Sequence, residues 1–109
     1  MADPGIVPSA PSRALTEAEA VALAVAAANQ IAPGHEFVPL PGRTTEHVFG
    51  WVVNVVPRKY MESDKPGDLV PGVAALVVER RKKLVVPLPS SVPTERAIVE
   101  YERRWKLEQ

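Results

Sequence analysis

The 109-residue chain has no cysteine, so neither a disulfide framework nor thiol chemistry is available to it. It has no excess of either charge: thirteen basic side chains balance thirteen acidic ones. A dedicated nucleic-acid binder would show a clear basic surplus, and that class is set aside. Long apolar runs are missing too. The longest near the start, Ala20–Ala28, is nine residues, against the roughly 20 a membrane span requires. Aromatics are few, at 6%, so each one is informative about the core. These absences describe one small protein, expected to be cytoplasmic, with no membrane segment and no cofactor.

Proline, by contrast, is abundant, with twelve in the chain. Three fall within Met1–Arg13, which reads as a disordered, polyproline-like leader, leaving 14–109 as a single domain. Thr16-Glu17-Ala18-Glu19 is a capping box, in which the Thr16 hydroxyl accepts from the Glu19 backbone and the Glu19 carboxylate reaches back. A helix follows to about Gln30, supported by alanines, and Pro33-Gly34 ends it. His35–Leu40 reads as a short strand that Pro39 confines to a sheet edge, and Pro41–Glu46 as a turn.

His47–Val56 is the richest segment, with β-branched and aromatic residues throughout. A period of two puts Phe49, Trp51, Val53 and Val55 on one face, the heavy one, which is expected to meet the core. Pro57 ends this strand. The sixteen residues Pro57–Gly72 show no periodicity, and a loop of that length is expected to serve binding or to move. Val73–Glu79 and Lys83–Leu88 form a hairpin about Arg80-Arg81-Lys82. Thr94 is expected to cap a last helix to about Leu107, with Ala97, Ile98, Tyr101 and Trp105 along its apolar stripe. The order α-β-β-β-β-α predicts an α+β fold, a mainly antiparallel four-stranded sheet with both helices on one face.

Catalytic constellations are not evident. His35 and His47 lack a third partner at metal or acid–base spacing. Ser90-Ser91 has no nucleophile-elbow context, and the glycines are too scattered to cradle a phosphate. The candidates for contact with another protein are Tyr60, Met61, Asp64 and Asp68 in the long loop, with Arg80 and Arg81 at the hairpin tip. Tyrosine and methionine suit interfaces, and a cluster of like charges is a handle for a partner of opposite sign. Trp105 is the tryptophan better placed for contact; Trp51 is expected in the core.

A capped alanine-rich helix precedes Phe49-Gly50-Trp51; a loop with Tyr60 and Gly67-Asp68 ends at Gly72; Val73–Val78, a hairpin, Pro89-Ser90-Ser91 and Glu100-Tyr101-Glu102 follow in order. In that order the chain resembles the immunity protein 35 family of bacterial polymorphic toxin systems. Where the family pattern carries a glycine-asparagine pair before the third strand, this sequence has Gly72-Val73. The resemblance implies a small α+β protein encoded beside a toxin, which it neutralises by binding and occlusion, with no reaction of its own. A general adaptor domain without a toxin partner is the alternative.

Overall fold

The computed structural model describes residues 15–70 and 73–108; the leader and Gly72 lie outside the described residues. Four strands form one antiparallel sheet in the order of the chain: β1 (Phe37–His47), β2 (Gly50–Pro57), β3 (Ala75–Glu79) and β4 (Val85–Pro87). Two long helices accompany it, α1 (Glu17–Ile31) before the sheet and α3 (Thr94–Leu107) after it. The short helix α2 (Arg58–Ser63) and a 3-10 turn (Pro66–Asp68) stand between β2 and β3. This is the α+β fold expected from the sequence.

The faces are assigned differently from the expectation. On one face α1 contributes Ala20, Ala24 and Ala28 to a cluster with Phe37, Val53, Val55, Leu76 and Val78. On the other, Ala97, Ile98, Tyr101 and Trp105 of α3 pack with Phe49, Val52, Ala75, Val77 and Leu88. The two helices therefore cover opposite faces, and the sheet is the middle of three layers. The alternation of β2 made this possible: Val52 and Val53 are both fully buried, which a one-sided sheet does not require.

The hairpin between β1 and β2 also lies elsewhere. His47 ends β1 and pairs with Gly50, so Val48 and Phe49 form a two-residue turn rather than the start of a strand. The stretch read as a turn, Pro41–Glu46, belongs to β1 and absorbs a register shift between Pro39 and Thr44. Phe49 leaves the turn for the α3 side, so it does not share a face with Trp51, Val53 and Val55. Gly50 has φ +146°, and a Cβ there would meet the Val78 carbonyl oxygen at 2.0 Å. Only glycine permits that crossing of chains.

Trp51 is half-buried rather than sunk in the core. Its indole N–H donates to the Leu15 carbonyl at 2.9 Å and ties the entrance of α1 to β2. Thr16 caps α1 as expected, accepting from the Glu19 amide at 3.2 Å. The Glu19 carboxylate meets Lys83 Nζ at 2.7 Å and so joins α1 to the second hairpin. Thr94 is the first residue of α3 and makes no side-chain cap; Pro93 holds the cap position.

Proline sets both edges of the sheet. Pro39 lies in β1, an edge strand as predicted. On the other side, the Leu88 amide donates to Ala75 at 2.9 Å and the Glu79 amide to Leu84 at 2.8 Å. Antiparallel pairing alternates, so Val85 and Pro87 are the β4 residues whose backbone turns away from β3. Pro87 offers no N–H there, which blunts the edge against another strand.

Candidate functional site

The segment Arg58–Asp68, expected to be structureless, is built from α2 and the 3-10 turn. Asp64 ends α2 with φ 58° and its amide donates to the Tyr60 carbonyl at 2.7 Å. The Ser63 hydroxyl donates to Asp68 Oδ2 at 2.5 Å, and Lys59 Nζ lies 3.8 Å from Asp68 Oδ1. Asp68 thus holds the segment to itself. Met61 is 47% exposed, Tyr60 is half-buried and Asp64 is exposed.

The residues expected to act together are separated. β2 leads from the β1–β2 turn to Pro57, and α2 begins directly after it; β3 returns so that Glu79 pairs with Gly50. Tyr60, Met61, Asp64 and Asp68 therefore lie beyond one end of β2, and Arg80 and Arg81 beyond the other. Eight residues of strand separate them, about 25 Å at the rise of extended chain.

Arg80 is an internal brace. Its guanidinium donates to the Val48 carbonyl at 2.9 Å and the His47 carbonyl at 2.7 Å, and lies 3.6 Å from Glu46 Oε2. Arg81 has a different place, 5.2 Å over the ring of Trp105. Trp105, the better placed of the two tryptophans for contact and a member of the expected apolar stripe, is half-buried here. Its N–H donates at 2.8 Å to Glu79 Oε2, whose other oxygen accepts from the backbone amides of Arg81 at 3.0 Å and Lys82 at 2.7 Å.

Glu79 was not singled out in the sequence, and it is the buried charged residue at the centre of this end of the molecule. Burial alone pushes its carboxyl up, but the donors from Lys82, Trp105 and Arg81, with the Arg81 charge, outweigh this and hold it below the ordinary carboxylate range. Burial, then the charges of Glu79 and Glu108, push the neighbouring Tyr101 hydroxyl up. The chemistry of the group is structural: an ionised carboxylate closes a turn that has no glycine and fixes the helix beside it.

Between this turn and α3 runs a groove of about 290 Å³. Leu84, Val86, Tyr101 and Trp105 line it, with Arg81 and Lys82 on the hairpin side. A contiguous hollow shares Val86, Tyr101 and Trp105 and adds Arg104. Leu84 is 55% exposed and Val86 37% exposed. The pattern that could have revealed the groove is present in the sequence, since Leu84 and Val86 share one face of the hairpin strand.

His47 stacks on Phe49, with centroids 5.1 Å apart, and its Nε2 lies 2.8 Å from the Thr45 hydroxyl. His35 lies 6.2 Å from the Phe37 ring. No group of three metal-binding side chains is found among the described residues, and Ser90 and Ser91 are exposed in the lead-in to α3. No helix among the described residues is long and apolar enough to cross a membrane. No family model matches the chain, and neither a curated protein nor a solved structure matches it.

Proposed function

We propose that this chain is a binding protein of the immunity type, which neutralises a cognate toxin by occupying its surface and catalyses nothing itself. The observation that carries the reading is the groove beside Trp105. Leu84 and Val86 remain exposed next to two half-buried aromatics on a face that α3 already crosses. Apolar side chains, an arginine and aromatic rings gathered at one concave place are the usual makings of a protein contact. The order of motifs that resembles the immunity protein 35 family supplies the toxin as the partner, and a cytoplasmic site of action goes with it.

Of the residues first nominated, Arg81 belongs to this groove, and Tyr60, Met61 and Asp64 form a second exposed surface at the far end. One partner need not touch both. The test is co-expression with the toxin domain encoded next to the gene: the chain restores growth and co-purifies with that domain. Restored growth without a complex, or a complex with no protection, refutes neutralisation by binding. A complex with a protein that is not a toxin leaves the adaptor reading in its place.

A further inference from the structure

We infer that the groove between the second hairpin and α3 receives an acidic segment of the partner that carries an apolar side chain, laid across the hairpin rather than added to the sheet. The inference rests on the binding-protein reading above and names the partner's chemistry. Charge decides the first part. The hairpin presents four consecutive cations, Arg80 to Lys83, and the fold engages three of them. Arg80 braces the first hairpin and Lys83 pairs with Glu19. Lys82 and Arg104 are exposed on the two sides of the groove, and Arg81 lies over Trp105 between them.

The acids nearby offset this charge only in part, since Glu79 and Glu108 stand against Arg81, Lys82 and Arg104. Glu79 is 7% exposed and its carboxylate already accepts three hydrogen bonds, so it has little capacity left for a ligand although it lines the groove. Glu108 lines both hollows and is the acid an incoming carboxylate would meet. Lys82 and Arg104 on opposite walls therefore favour carboxylates along the rims. The floor asks for something else. Leu84, Val86, Tyr101 and Trp105 offer apolar surface, and an aliphatic or aromatic side chain held between the carboxylates would cover it.

The edge of the sheet decides the second part. A partner strand adding to β4 would need the N–H at Pro87, which is missing, and Pro89 repeats the defect two residues on. Recognition must then come from side chains, which makes it sensitive to charge and to the apolar anchor rather than to backbone register.

The probe is a fluorescein-labelled seven-residue peptide with leucine at its centre and glutamate or aspartate elsewhere, titrated into the full chain by anisotropy. Its counterpart with lysines in place of the acids, and one with serine in place of leucine, are the controls. The acidic leucine peptide is expected to bind at least tenfold more tightly than either. Lys82→Glu with Arg104→Glu is expected to weaken it at least tenfold, and Leu84→Ser by a smaller factor. Lys59→Glu, at the other end of β2, leaves it unchanged. Equal binding of the acidic and basic peptides, or an unchanged affinity in the double variant, overturns the inference. The toxin domain separates the two claims. If it binds the double variant as tightly as the native chain, the groove is wrong and the binding function stands. If the peptide series behaves as expected but no toxin is neutralised, the groove stands and the function is wrong.

Discussion

Removing the indole N–H of Trp105 while keeping a ring in place should cost more than an ordinary surface change. Trp105→Phe leaves the edge-on packing against Phe49, whose ring centroid is 6.5 Å away, but withdraws the donor 2.8 Å from Glu79 Oε2. A hydrogen bond to a charged group contributes roughly 1.5–3 kcal/mol, and the carboxylate left behind is buried at 7% exposure. Two backbone donors remain on its other oxygen, at 3.0 and 2.7 Å, which keeps the loss to about 2 kcal/mol. For a domain of this size that is a drop of several degrees in melting temperature. Urea melts of the native chain, Trp105→Phe and Glu79→Gln measure it, and the double variant completes a cycle. If the two changes add with no coupling, the bond between them contributes nothing and the account of Glu79 fails.

The pH dependence follows from the same carboxylate. Its folded pKa lies below the unfolded value, so its contribution is complete above the ordinary carboxylate range and is lost as the pH falls through the folded value; Glu79→Gln should flatten the acid limb of a stability-versus-pH curve. Gly50→Ala puts a Cβ 2.0 Å from the Val78 carbonyl at φ +146°, and should cost more than 2 kcal/mol by denaturant melt, a surface-like loss under 0.5 kcal/mol refuting the crossing described. Trp51→Ala should cost less than the roughly 3–5 kcal/mol of a fully packed aromatic, because the residue is half-buried; a loss within that range would place it in the core. Tyr60→Ala with Met61→Ala should leave toxin protection intact if the groove is the interface, and loss of protection at an unchanged melting temperature would move the interface to α2.

Much of the framework is legible in local sequence because it rests on local physics. Thr16 caps α1 through its own neighbour, prolines mark the sheet edges by lacking a donor, and the cations of Arg80–Lys82 sit on a turn. Periodicity also identified β2 and the apolar stripe of α3. It could not say which face each helix takes, since Val52 and Val53 point to opposite sides and both are apolar. Apolar runs buried on both faces look alike in sequence. Nor could it place the turn at Val48-Phe49, because two bulky residues carry none of the usual turn chemistry; Gly50 crossing the Val78 carbonyl and Arg80 bonding the His47 and Val48 carbonyls hold it there. Both are contacts across about thirty positions of chain. The candidate site was divided because Asp68 and Arg80, which carry the charges expected of a contact surface, are both engaged within the fold, Asp68 locally by Ser63 and Arg80 at long range by a neighbouring hairpin. Glu79, an ordinary strand-end acid in the sequence, acquires its importance only where β3, the turn and α3 meet.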